Sequence, residues 1–226
     1  MKVTLVVASF LLMLVTSANA QINSKHVLGL SELSYTWISD STRPDGSQLR
    51  VLKKPINLYS AAAAGARVIA TIKKLEDVEL AEHGYEEISA ITYQARNGWY
   101  QIGYLSGDRI AQGWIGSADV VEYRSLETLL VNRMSYLTER WNKHLWKSPS
   151  ASSQYRKVKL KNENSSSGYD ARIIATKRTA ARLWLKVEVL GGEGCDYDAR
   201  NVIARGWIPA HSATGSLTAW FYSRGC

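Results

Sequence analysis

One string occurs twice in this chain. Ala111-Gln112-Gly113-Trp114-Ile115 returns near the C-terminus as Ala204-Arg205-Gly206-Trp207-Ile208. Each copy follows a Trp-bearing stretch, Gly98-Trp99-Tyr100-Gln101-Ile102 in the first and Leu183-Trp184-Leu185-Lys186-Val187 in the second. Further upstream, Ile56-Asn57-Leu58-Tyr59-Ser60 runs into the small residues 61–65, as Leu145-Trp146-Lys147-Ser148-Pro149 runs into the serines at 150–153. Such self-similarity constrains the fold to two copies of one small unit, each burying its own apolar face. The copies extend over 49–123 and 144–226. The separation between the two tryptophans is 15 residues in the first and 23 in the second, so the second carries a longer hairpin loop around the turn-forming run Gly191-Gly192-Glu193-Gly194-Cys195.

Period-two alternation marks the units as β-structure. It is present in Asp77-Val78-Glu79-Leu80, in Arg156-Lys157-Val158-Lys159-Leu160 and from Trp184 to Val189. Several short strands with glycine-rich turns in so few residues predict a small barrel. Between the copies the period changes. Leu126, Leu129, Leu130, Met134, Leu137 and Trp141 recur at helical spacing behind Ser125, a natural N-cap. The expectation is an amphipathic linker helix within 124–143, with a polar face of mixed sign. Residues 21–48 are expected to be an extension packed on the first unit.

The first twenty residues carry an address. Lys2 precedes an apolar run from Val3 to Val15, and Ala18-Asn19-Ala20 is a small-x-small cleavage site. The run is too short to span a bilayer as an anchor, which takes about 20 apolar residues. The reading is a signal peptide over 1–20, cleavage after Ala20, and a periplasmic or secreted location with no transmembrane segment in the mature chain. Export permits a disulfide between Cys195 and Cys226, which would close a loop contributing roughly 3–4 kcal/mol. Two free thiols are the alternative.

With 46% hydrophobic residues and two cysteines, the chain is neither a disordered polymer nor a disulfide-dense miniprotein. Charge is divided unevenly. Residues 147–186 hold ten basic and two acidic side chains, a balance of +8, whereas 55–123 hold five basic and nine acidic ones, a balance of −4. The basic half suits an anionic partner, or the two halves attract each other.

The strings Gly98 to Ile102 and Gly113-Trp114-Ile115, preceded by Asn57-Leu58-Tyr59-Ser60, resemble the bacterial SH3-like domain family. Arg67 to Ile72 sits where that family has an apolar strand. Tyr59 departs from the arginine usual at the opening, residues 83–93 are an insertion, and the second copy is the more divergent. The resemblance implies a mainly β fold of two small SH3-like β-barrels in tandem, joined by the amphipathic helix. It also implies a non-catalytic role, because such barrels accompany cell-wall hydrolases or bind wall peptides and other extracytoplasmic partners.

No constellation in the sequence carries a reaction. His26, His83, His144 and His211 lack metal-ligand spacing, and His-Glu-x-x-His, Gly-x-Ser-x-Gly and P-loop strings are absent. Glu193, Asp196 and Asp198 form an acidic cluster without the ligand ladder of a calcium loop. No catalytic residue, cofactor or metal is expected. The candidate binding side chains are the aromatics Tyr59, Trp99, Tyr100, Trp114, Trp184 and Trp207. The candidate cations are Lys157, Lys159, Lys161, Lys177, Arg178 and Arg182. Core packing is the competing role for each tryptophan. The expected partner is peptidoglycan, another anionic extracytoplasmic polymer, or a protein, and not nucleic acid. A self-associating scaffold is the alternative, and a wall hydrolase ranks behind it.

Overall fold

The alternation from Trp184 to Val189 is realised as a strand, whereas Asp77 ends a 3-10 turn, Leu75–Asp77, and Val78 makes only an isolated bridge to Tyr104. In Leu183–Leu190, the side chains of Leu183, Leu185, Val187 and Val189 enter one core, and Trp184, Lys186 and Glu188 take the opposite face. The computed structural model describes residues 26–39, 48–159, 169–191 and 199–224. The leader expected at 1–20, Lys161, the acidic cluster and both cysteines of the expected disulfide lie outside the described residues.

The first half contains β1 (Gly29–Leu33), β2 (Tyr35–Ser39), β3 (Gln48–Leu52), β4 (Ile56–Tyr59), β5 (Val68–Ile72), β6 (Leu80–Gly84), β7 (Glu87–Arg96), β8 (Trp99–Ser106), β9 (Arg109–Gly116) and β10 (Val120–Ser125). A short helix α1 (Leu126–Leu130) follows. The second half contains β11 (Met134–Leu137), β12 (His144–Trp146), β13 (Tyr155–Lys157), β14 (Tyr169–Arg178), β15 (Leu183–Leu190), β16 (Val202–Pro209) and β17 (Ala219–Phe221).

These strands form two antiparallel sheets. The first runs β10-β1-β7-β8-β9-β4-β5, with β6 added beside β7; the second runs β17-β11-β14-β15-β16-β12-β13. Strand for strand, the two orders are the same. The register agrees as well: Ser31 faces Ala90 in the first sheet and Ser135 faces Ala171 in the second, all buried. A separate hairpin, β2–β3, places the Arg50 guanidinium 4.3 Å over the Trp37 ring. Among the described residues the outer strands of each sheet do not pair with each other. The architecture is therefore mainly β, with two open antiparallel sheets in place of the closed barrels expected.

The linker helix also needs correction. Ser125 does cap a helix, its side chain accepting from the Thr128 N–H, and Leu126, Leu129 and Leu130 are its buried face. The helix stops after these five residues. Asn132 takes a left-handed φ of 59°, and Met134 to Leu137 become β11, paired with both β14 and β17. Helical spacing and a strand both bury Leu137; the ladder prevails because it satisfies the backbone on two sides. The segment 21–48 is likewise more than an extension packed on the first unit. Its β1 lies inside the first sheet between β7 and β10, at the position that β11 holds in the second.

A shared core joins the two sheets. Val27, Leu30, Ile91 and the α1 leucines pack in one cluster with Leu137, Ile173, Leu185, Val187 and Phe221. A second cluster, including Leu33, Ile56, Leu58, Ile72, Ile102 and Ile115, belongs to the first sheet alone. Each fully buried leucine or isoleucine contributes about 1.5–3 kcal/mol.

Polar contacts complete the junction. The His26 N–H donates to the Gly215 carbonyl at 2.7 Å, and His211 Nε2 lies 2.8 Å from the Val27 carbonyl, which can only accept. Arg224 pairs with Glu82 at 2.9 Å, and Arg178 pairs with Glu127. The Arg133 guanidinium sits 4.1 Å from the Phe221 ring centroid and donates to the His83 carbonyl. His83 is buried, with Nδ1 against Arg124 Nη1 at 3.2 Å and Nε2 against Ser89 Oγ at 2.9 Å. Arginine can only donate, so this contact is made with Nδ1 accepting and Nε2 protonated, while the Glu87 carboxylate, 3.5 Å from the same Nδ1, opposes it by favouring the protonated ring.

This arrangement carries a pH dependence. Burial holds the His83 ring below its ordinary range, with the Arg124 charge adding to the effect and Glu87 opposing it. His211 is held low as well, chiefly by burial. At these two histidines the unfolded chain therefore binds more protons than the folded one below about pH 6.5. Their contribution to stability is complete above that pH and is lost as pH falls toward the depressed folded values. Urea unfolding is expected to show a lower midpoint at pH 5 than at pH 7.5, and His83→Gln should reduce the difference. An equal midpoint at the two values would refute the assignment.

Candidate functional site

The outer face of the second sheet carries an aromatic row. Tyr155 on β13 faces Trp146 on β12, Trp146 faces Trp207 on β16, and Trp207 faces Lys186 on β15. Because each pair is in direct register, all four side chains leave the same face of the sheet. The rings support one another: Trp146 lies 5.6 Å from Tyr155 and, edge-on, 5.6 Å from the buried Trp184. His144 stacks on Tyr155 at 4.2 Å and extends the row toward Lys157.

A groove of about 840 Å³ runs over this row. Trp146, Tyr155 and Trp207 are its aromatic lining, and Lys147, Lys186 and Arg205 are its cations, joined at the edge strand by Arg156, whose register partner is the buried Leu145; among the described residues no lining residue is acidic. Glu188 stands just behind, nine-tenths buried, and accepts from Arg205 Nε at 2.8 Å. That bond holds the guanidinium in a charge-assisted geometry at the groove wall. The rim is the 147–154 loop, which is internally bonded. The Lys147 N–H donates to the Gln154 carbonyl at 2.9 Å, and Lys147 Nζ donates to Gln154 Oε1 at 2.7 Å. The Ser148 N–H donates to Ser153 Oγ at 3.1 Å. A loop fixed by its own side chains loses little further freedom when a ligand arrives.

The corresponding place on the first sheet differs in chemistry. Tyr59 holds the position of Trp146, and Trp114 that of Trp207. Register sets Ser60, Ala70, Gln101 and Gln112 against Lys147, Arg156, Lys186 and Arg205. All four cations are missing there. The rings are covered too: Trp99 stands edge-on to Tyr59 at 5.5 Å, and the Arg96 guanidinium lies 4.8 Å over Trp114, which is buried.

The side chains nominated from sequence fall in several places. Trp207 lines the groove. Trp184 and Trp114 are buried, at 2% and 5% exposure, although both stand on the outer faces of their sheets. Tyr59, Trp99 and Tyr100 are half-buried on the first sheet, with Tyr100 5.0 Å from Tyr123. Lys157 and Lys159 are exposed beyond the groove on the β13 side. Lys177, Arg178 and Arg182 cluster at the β14–β15 turn, where Arg178 is engaged by Glu127 and Arg182 lies 5.8 Å from the Trp184 ring.

Sequence reading passed over Trp146, Tyr155, Lys147, Arg156, Lys186 and Arg205. The paired strings set Trp146 opposite Asn57, and only the strand register makes it the counterpart of Tyr59. Among the described residues, no group of three or more His, Cys, Asp or Glu side chains is placed to hold a metal ion, and no helix is long and apolar enough to cross a membrane.

Compared with known proteins, the chain matches no family model, no curated protein and no solved structure.

Proposed function

We propose that this protein is an exported, non-catalytic binding module built from two tandem SH3-like units, and that it holds an anionic extracytoplasmic polymer such as peptidoglycan. The groove on the second sheet carries the reading. Three aromatic side chains and four cations line it, with no acid among the described lining residues. Such a surface offers contact area through its rings and long-range attraction through its charge. The SH3-like assignment rests on the repeated Gly-Trp-Ile strings and on the strand order that the two sheets share.

Self-association of an acidic and a basic half is the competing function. It loses support because the halves already meet within one chain, through Arg178 with Glu127 and Arg224 with Glu82. Their charges are partly neutralised before a second copy arrives.

Co-sedimentation of the purified protein with peptidoglycan at moderate salt tests the reading, with a folded basic protein of similar charge as control. Sedimentation well above that control is expected, weakening as salt rises. Sedimentation equal to the control would overturn the polymer reading. A mass that rises on lowering the salt would favour self-association instead.

A further inference from the structure

We infer that the groove on the second sheet takes an acidic oligosaccharide, a run of sugar rings bearing carboxylate or sulfate groups, and that the first sheet has no equivalent site. This deepens the binding-module reading and rests on it.

The shape of the site comes first. Tyr155, Trp146, Trp207 and Lys186 cross four adjacent strands in register. At about 4.8 Å per strand the row is roughly 14 Å long, the span of a short oligosaccharide. An occupant lying along the row crosses the strands at right angles. A peptide adding to a sheet instead runs parallel to its edge and uses the edge strand's backbone groups. The row thus favours a ligand that is read by side chains and has no need of a backbone ladder.

The chemistry points the same way. Pyranose rings have apolar C–H faces, which stack on indole and phenol rings whose polar tips stay wet. Tyr155 is 57% exposed, far beyond what core packing requires of it, and its ring is held by His144 and Trp146. The hydroxyls of Ser152 and Ser153 line the rim, where sugar hydroxyls can exchange hydrogen bonds with them. Lys147, Arg156, Lys186 and Arg205 then demand negative charge on the ligand. Arg205 is already oriented by Glu188, so it presents its guanidinium as a fixed fork suited to a carboxylate or sulfate.

The first sheet serves as an internal comparison. It retains Tyr59 and Trp114 but has Ser60, Ala70, Gln101 and Gln112 where the cations stand, and its Trp114 is buried beneath Arg96. The two sheets share a strand order and differ at the positions a charged sugar would touch.

The test is a titration of the full-length protein, followed by tryptophan fluorescence, with hexameric galacturonic acid as the probe. Maltohexaose, hexaglutamate and a thymidine hexanucleotide are the comparison ligands. Saturable binding of the uronate is expected, at least tenfold tighter than maltohexaose, and weakening with salt. Lys147→Ala with Lys186→Ala should reduce uronate affinity at least tenfold, and Tyr155→Ala by about tenfold. Tyr59→Ala and Gln101→Ala should leave it unchanged. Lys147→Gln with Lys186→Gln is the second charge variant, and an unaltered near-UV circular dichroism spectrum certifies each fold.

Equal affinity for maltohexaose, tighter binding of hexaglutamate or the hexanucleotide, or uronate affinity unaffected by the charge variants would overturn the inference. Peptidoglycan co-sedimentation that persists in the charge variants, without uronate binding, would remove this site and leave the binding module standing. Loss of both would remove both.

Discussion

Replacing Trp184 by alanine is expected to destabilise the protein by about 3–5 kcal/mol, the cost of removing a buried aromatic side chain and leaving a cavity behind. Trp184 is 2% exposed and is among the largest fully buried side chains. Its ring lies edge-on against Trp146 at 5.6 Å, so the vacancy opens directly beside the aromatic row. Urea unfolding should show a lower midpoint with little change in slope. Binding to the groove should weaken as well, because Trp146 loses its backing. A cost below 1 kcal/mol would mean that Trp184 is not a core anchor, and its nomination as a contact residue would stand again. Tyr155→Ala supplies the contrast. At an exposed position it should change stability by no more than about 0.5 kcal/mol while weakening the ligand.

Gly206→Val is the second substitution with a large expected effect, about 3 kcal/mol or more. A Cβ at this position would lie 2.7 Å from Leu145 Cβ and 3.1 Å from the Trp146 carbonyl oxygen. Neither atom is the far end of a flexible side chain, so β12 and β16 would have to part. Gly113 meets the same constraint in the first sheet, where a Cβ would stand 2.9 Å from Leu58 Cβ. Gly113→Val should therefore have a comparable cost. Thermal unfolding of both variants measures this, and a shift within error of zero for either would show that the strands do not cross so closely. The two glycines explain the repeated string. Glycine lets one strand cross another closely, the tryptophan that follows takes the outer face, and the isoleucine after it enters the core.

Much of the fold was legible in this way. The duplication was visible in Gly113-Trp114-Ile115 and Gly206-Trp207-Ile208, and the β content in the alternation around Val187. The helix was legible only in part. Ser125 and the leucines after it meet the requirements of a helix start, and one is found there. Met134 and Leu137 continued the same period, but in the strand they lie on opposite faces, Leu137 buried in the core and Met134 half-buried. Only the arrival of β14 and β17 on either side of Met134–Leu137 decided the matter. The same holds for Gly29–Leu33, whose place inside the first sheet depends on β7 and β10, far along the chain.

The candidate site was less legible, and the reason is register. Composition marked residues 147–186 as basic, and Lys157, Lys177, Arg178 and Arg182 stood out as candidates. Local sequence does not tell which cations share a sheet face with which rings. Lys186 joins Trp207, Trp146 and Tyr155 only through three successive strand pairings. Arg178, in contrast, is drawn away to Glu127 across the junction.

By itself, the sequence determined that two like units exist, that they are built of strands, and that one is acidic and the other basic. These are local properties: alternation, turn chemistry and charge are written residue by residue. The tertiary structure alone decided which tryptophans are core and which are surface, how β1 and β11 enter their sheets, and which four cations surround the aromatic row. Those are properties of pairing between distant strands, where a shift of one residue sends every side chain to the opposite face.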